Sequence, residues 1–302
     1  MLRWRLISAA AILAPLLALV AADFACNFGA PGIWLAPIGL LCALLAAAEI
    51  LVMLRANGHH LVAWTVYAGI AAIYLAACAP QAWPLFGLEY PPDCPLGKLG
   101  WPLAAATLAV GLAFGGEMLR YREPGGVIVN VSLAALIALY IGLSFAFVAE
   151  LRFFHSNAWG MVALVSLLVV TKLSDVGAYT FGKCFGRHKL SPRLSPGKTI
   201  EGALGGIAVA CGASYIFFVF CAPLMVASPP VSWVGSVLYG LLIALAGIVG
   251  DLSESLLKRD LQVKDSSRWL PGLGGVLDIL DSVLASAPVA FVCWASGLIG
   301  PG

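Results

Sequence analysis

From Asp251 to Asp281 the chain reads DLSESLLKRDLQVKDSSRWLPGLGGVLDILD, a run holding six of its fifteen carboxylates and four of its seventeen Lys and Arg residues. Strongly apolar stretches flank it on both sides. Ionisable groups beside hydrocarbon are costly, and a dense cluster of both signs there marks a functional site. Asp278 and Asp281 follow Gly272, Gly274 and Gly275, which break the preceding chain and set a helix start near Val276. Three-residue spacing puts both carboxylates on one helix face. A helix dipole favours anions in the first turn by only about 0.3–1 kcal/mol. That gain is small beside the cost of two adjacent negative charges near hydrocarbon. A divalent cation removes the cost, and hard oxygen donors suit Mg2+; otherwise the two are ordinary capping carboxylates at an interface.

Upstream, Asp251, Glu254, Ser255 and Lys258 share one face of a helix that continues out of an apolar span. Two readings stand. One is a solvated stub with a Glu254–Lys258 pair worth a few tenths of a kcal/mol. The other is a phosphate clamp, with Arg259, Lys264 and Arg268, beside a metal ligand. A second basic stretch, KCFGRHKLSPRLSPGKTIEG from Lys183 to Gly202, has five Lys and Arg residues and two Ser-Pro steps. Ser195, Lys198 and Thr199 supply hydroxyls and an ammonium just before a helix start expected at Thr199–Glu201, an arrangement suited to polyphosphate. The spacing is not that of a Walker loop, and plain inside-positive charge explains the stretch equally well. Lys172 and Asp175 are either a buried pair within a span or part of the site's inner mouth. Glu49 and Glu117 read as interfacial partners of Arg55 and Arg120. The small-residue pairs Gly202/Gly206 and Gly111/Gly115 read as points of close helix packing. His59, His60, His155 and His188 show no ligand geometry.

The elements that must position these residues are membrane helices. The chain has 302 residues, is 61% hydrophobic and 11% charged, and has a mean hydropathy of +0.97, a composition that excludes a soluble domain. Runs of about 20 apolar residues, enough to span a bilayer, fall near 6–22, 32–54, 61–79, 99–119, 126–149, 158–182, 202–222, 232–250 and 276–299. The expected fold is all-α, a polytopic bundle of about nine spans, the class that satisfies its own backbone in lipid. The first run resembles a signal peptide but is taken as a retained span. With the N-terminus cytoplasmic, fourteen of the seventeen Lys and Arg residues lie inside, whereas Lys98 and Arg152 lie outside. The two basic stretches then share the cytoplasmic face. Residues 1–157 read as a lipid-embedded scaffold and 158–302 as the catalytic region. Eight scattered cysteines without a C-x-x-C read as packing residues. No basic tail or aromatic-basic repeat argues for nucleic acid.

Two ordered motifs resemble the phosphatidate cytidylyltransferase (CDP-diacylglycerol synthase) family. The first is Ser255-Leu-Leu-Lys258-Arg259, Lys264-Asp265, Leu270-Pro271, Gly274-Gly275 and Asp278…Asp281. The second is Asp175-x-Gly-Ala-Tyr179, Gly182, Gly186 and Ser195-Pro-Gly-Lys198-Thr199…Glu201-Gly202. Together they cover about 175–282. The family's histidine before Gly-Gly is Leu273 here, and its arginine between the aspartates is Ile279; Lys258, Arg259, Lys264 or Arg268 would then take over any grip on phosphate.

The resemblance implies transfer of CMP from CTP to phosphatidic acid, giving CDP-diacylglycerol and pyrophosphate on the cytoplasmic face of the plasma (inner) membrane. It implies that Asp251, Asp278 and Asp281 ligate Mg2+, with room for a second cation. Ser195, Lys198 and Thr199 would hold nucleotide phosphates and Asp175 would order the inner mouth. Lys258, Arg259 and Lys264 would hold lipid phosphate or pyrophosphate, making them catalytic with Asp278 and Asp281. CTP, phosphatidic acid and membrane lipid are the expected partners, and a homodimer is an open possibility. Two alternatives remain: a CTP-dependent polyprenol or lipid kinase, and an ion-coupled transporter. Product identity separates the kinase, and nucleotide turnover separates the transporter.

Overall fold

A computed structural model describes residues 2–91, 93–226, 231–263, 265–267 and 274–301, with side chains from Ala14 onward. The expected runs correspond one for one to helices α1 Leu2–Ala25, α2 Ala36–Ala56, α3 Ala63–Cys78, α4 Gly97–Arg120, α5 Val127–Arg152, α6 Asn157–Phe185, α7 Ile200–Ile216, α8 Trp233–Asp260 and α9 Val276–Ala295. Helices α2 to α9 are long and apolar enough to cross a membrane, α3 and α7 when their short helical extensions to Gln81 and Leu224 are counted. Among the described residues the fold is all-α apart from one small hairpin, β1 Lys189–Ser191 and β2 Ser195–Thr199. Its strands are antiparallel, with Lys189 opposite Thr199 and Ser191 opposite Ser195. The hairpin lies where a loop was expected. Ser191 and Ser195 each precede a proline, and such residues are pushed out of the helical region into extended backbone.

Local signals explain the ends. Pro37 occupies the first turn of α2, where its missing N–H costs nothing. Ser156 caps α6 by accepting from Trp159 N at 3.3 Å. Thr199 caps α7 by accepting from Gly202 N at 3.1 Å, so the helix begins where the sequence predicted.

The chain forms two compact units. The first comprises Met1–Glu150 and Val263–Ile279. Its core holds Ile70, Ile73 and Ile141, all fully buried. Helices α3 and α4 approach through glycine: a Cβ on Gly69 would stand 2.9 Å from Ala109 Cβ, and one on Gly116 would stand 2.5 Å from Thr65 Cγ2. Lipid tails are as apolar as these side chains, so close packing of small residues rather than hydrophobic exclusion holds such helices together. Gly111 and Gly115 are not part of that contact, because a Cβ at either would meet nothing within 4 Å among the described residues. Their expected packing role is not met. Glu117 does pair with Arg120, at 3.1 Å.

The second unit comprises Leu151–Gln262 and Leu280–Gly302. Here α6 and α7 pack tightly at the expected small residues. A Cβ on Gly202 would lie 2.8 Å from Ala178 O, one on Gly206 would lie 3.0 Å from Ser174 O, and one on Gly205 would collide with the Phe181 side chain. Gly240 lets α8 reach the backbone of α7, 2.6 Å from Ala210 O to the added atom. Trp294 of α9 is fully buried, with ring centroids 5.5 Å from Phe154, 5.8 Å from Trp159 and 5.9 Å from Phe218. Buried hydroxyls are satisfied across helices: Tyr239 with Ser166 at 3.0 Å, and Ser214 donating to Ser236 O at 2.6 Å.

Candidate active site

Within the second unit, α8 carries Asp251 and, one turn on, Glu254; α9 carries Asp281. Each of these carboxylates offers one oxygen to a group lying within 4.8 Å of one another. Glu254 and Asp281 are buried and Asp251 is half-buried. The helices can come this close because Gly250 has no side chain: a Cβ there would sit 2.5 Å from Asp281 O and 2.6 Å from Ala285 Cβ. The glycine immediately before Asp251 thus sets the distance between two acidic residues thirty positions apart.

Three acidic groups in a low-dielectric bundle repel one another strongly, and the surroundings supply partial compensation. Lys198 Nζ, on β2, lies 2.6 Å from Asp251 Oδ2. Lys258 Nζ lies 2.9 Å from Glu254 Oε2. Asp281 Oδ1 accepts from Ser282 N at 2.6 Å and lies 3.0 Å from Ser282 Oγ. The same hydroxyl is 3.3 Å from Asp175 Oδ1, and Asp175 Oδ2 pairs with Lys172 at 3.0 Å. A continuous polar chain therefore runs from Lys172 through Asp175 and Ser282 to the acidic group, and on to Lys198 and Lys258. The donor set of the acidic group, Asp251, Glu254 and Asp281, is carboxylate oxygen throughout, which fits a hard divalent cation.

The hairpin is built onto this arrangement. Arg259 Nε donates to Leu194 O at 3.1 Å, fastening the hairpin turn to α8. Glu201 Oε2 accepts from Arg187 N at 3.0 Å, and its Oε1 lies 2.6 Å from His188 Nδ1, tying the approach of β1 to the start of α7. Thr199 spends its hydroxyl as the α7 cap, whereas Ser195 opens β2 opposite Ser191.

Of the residues singled out from sequence, Asp175, Lys198, Asp251, Lys258 and Asp281 thus belong to one connected network. Arg259 and Thr199 support the hairpin. Asp278 belongs to the first unit, where its Oδ2 accepts from Gly275 N at 2.7 Å and Ser266 N at 3.1 Å and lies 2.8 Å from Ser266 Oγ. Lys264, Arg268 and Leu273 lie outside the described residues. Glu254 was read from sequence only as a partner for Lys258. Its three-residue spacing from Asp251, the same as that between Asp278 and Asp281, was the available signal.

Among curated proteins, phosphatidate cytidylyltransferase of Bacillus subtilis (strain 168) is 39% identical over 162 residues, 54% of this chain and 57% of that protein. Phosphatidate cytidylyltransferase of Pseudomonas aeruginosa PAO1 is 40% identical over 139 residues, 46% of this chain and 49% of that protein. Uncharacterized protein YnbB of Escherichia coli (strain K12) is 42% identical over 132 residues, 44% of this chain and 42% of that protein. The chain spans about half the length of the curated relatives it matches. The model of the cytidylyltransferase family matches residues 5–296, nearly the whole chain, and the protein belongs to that family.

Proposed function

We propose that this protein transfers CMP from CTP to phosphatidic acid, giving CDP-diacylglycerol and pyrophosphate. The observation that carries the reading is the group formed by Asp251, Glu254 and Asp281, with Lys198 and Lys258 at its edge. Family membership and the names of the relatives support the same reaction. Both substrates are anions, so the site must bring like charges together. An oxygen of the lipid phosphate attacks the α-phosphorus of CTP, and the bond from that phosphorus to the bridging oxygen breaks as pyrophosphate leaves. A phosphate monoester oxygen is already anionic near neutral pH, so a general base is secondary and fixed electrostatics carry more of the rate.

Asp251, Glu254 and Asp281 would hold Mg2+, which when bound screens the two substrates and stabilises charge on the leaving oxygens. Asp278 enters as a further ligand on its sequence pattern alone. Lys198, released from Asp251 toward an incoming anion, would bind nucleotide phosphates, and Ser195 and Thr199 join it on their sequence pattern alone. Lys258, Arg259 and Lys264 would hold lipid phosphate or departing pyrophosphate, and Asp175 would order the inner mouth through Ser282. The distribution of Lys and Arg supports an N-terminus inside, and with it a site on the cytoplasmic face of the membrane, which we take to be the plasma membrane.

The deciding assay uses purified full-length protein with CTP labelled at the α-phosphate, phosphatidic acid and Mg2+, with a chelator control. Labelled CDP-lipid with equimolar pyrophosphate, lost on chelation, is the expected result. Phospholipid with free CDP would identify a kinase instead. Absence of nucleotide turnover alongside ion-coupled flux in proteoliposomes would identify a transporter.

A further inference from the structure

Glu49 lies in α2, more than two hundred residues before the acidic run, and is only 9% exposed. Its carboxylate nevertheless engages the start of α9. Oε1 accepts from Val276 N at 2.9 Å and Ser267 Oγ at 2.9 Å. Oε2 accepts from Leu277 N at 2.9 Å and lies 2.8 Å from Ser266 Oγ. All of these residues belong to the first unit.

The first N–H groups of a helix have no partner within it. A helix usually supplies one locally, through a Ser, Thr, Asp or Asn side chain just before its first residue. Here that position is Gly275, which has none. Asp278 makes half of a capping box, reaching back to Gly275 N at 2.7 Å. The other half comes from α2: Glu49 takes the N–H groups of the first two residues of α9. Gly275 is what allows it, because a Cβ there would collide with both Glu49 Oε2 and Ser266 Oγ. A buried carboxylate accepting from two backbone N–H groups at a helix N-terminus is a charge-assisted cap. Ser266 Oγ, at 2.8 Å from both Glu49 and Asp278, couples that cap to Asp278 directly.

We propose that Glu49 is a positioning residue for the transfer reaction. It caps α9 from another helix, fixing the register of the turn that bears Asp278 and leads into Asp281. This rests on the CMP-transfer reading, and it assigns the front half of the chain a part in the chemistry.

The test compares full-length Glu49→Ala and Glu49→Gln with wild type by hydrogen exchange and by CDP-diacylglycerol formation. In Glu49→Ala, amides of 274–280 should exchange about tenfold to a hundredfold faster, whereas α6, α7 and α8 should not change. The kcat should fall by a similar factor, with KM for CTP within about threefold. Glu49→Gln keeps one acceptor oxygen and should fall between. Should Glu49→Ala not fold, Glu49→Gln decides alone. Wild-type exchange and kcat in the variant that folds would overturn the proposal. So would a uniform rise in exchange with kcat retained, which marks a merely structural contact. If wild type itself makes no CDP-lipid, the reaction reading fails, while the exchange data still test the cap.

Discussion

A single methylene distinguishes Glu254 from an aspartate, yet the fold gives it a place beside Asp251 and Asp281 that Asp260, on the same helix, does not share among the described residues. If the three hold a cation, removing one charge removes several kcal/mol of transition-state stabilisation. At 1.36 kcal/mol per decade, Asp281→Asn should lower pyrophosphate release by about a hundredfold to a thousandfold. The variant should still purify as a folded protein. Glu254→Gln should reduce the rate and also raise the Mg2+ concentration giving half-maximal activity, by about tenfold. An unchanged Mg2+ titration in Glu254→Gln would remove that residue from the ligand set. The ionic partners of these carboxylates were only partly legible. Lys258 follows Glu254 by four residues, a pairing any helix displays. Lys198 is fifty-three residues from Asp251 and enters only because the Ser-Pro steps fold the loop back as a hairpin.

At the scale of elements, glycine decides which helices touch. Gly250→Leu places a branched side chain against the backbone of Asp281 and against Ala285. Overpacking of this kind costs about 1–3 kcal/mol. Thermal unfolding in detergent should therefore show a lowered midpoint, together with loss of activity as the acidic group is pushed apart. Gly111→Leu is the matched control, because among the described residues its Cβ would meet nothing within 4 Å. Its unfolding midpoint should equal or exceed that of wild type, since leucine is the better helix former. Both glycines sit in apolar helices with small residues nearby, so spacing alone does not rank them; only the neighbour each one faces does. Thr199→Ala, by contrast, is readable from sequence. It removes the cap of α7 and should cost about 1 kcal/mol.

For the whole molecule, the Lys and Arg distribution yields a topology that can be measured. With the N-terminus inside, Cys26 follows the first span and Cys94 precedes α4, both on the outer side, whereas Cys184 ends α6 on the inner side. In variants retaining one of these cysteines, a membrane-impermeant maleimide should label Cys26 and Cys94 in intact cells. Cys184 should label only after permeabilisation. Labelling of Cys184 from outside would invert the topology and place the proposed site away from cytosolic CTP.

The order of residues was enough to determine the nine α-helices found among the described residues and the place where α7 begins. Hydropathy over about twenty residues and a capping side chain both act within a few turns, so each can be read in a local window. The acidic run was visible for the same reason, as charge where lipid should be. What the tertiary structure decided was which of those charges meet. Glu254 joins Asp251 and Asp281 because α9 crosses α8 at Gly250. Glu49 caps α9 from a position 228 residues before Leu277. Both depend on how helices pack, and packing is set by small residues on facing surfaces whose pairing no single stretch of sequence contains.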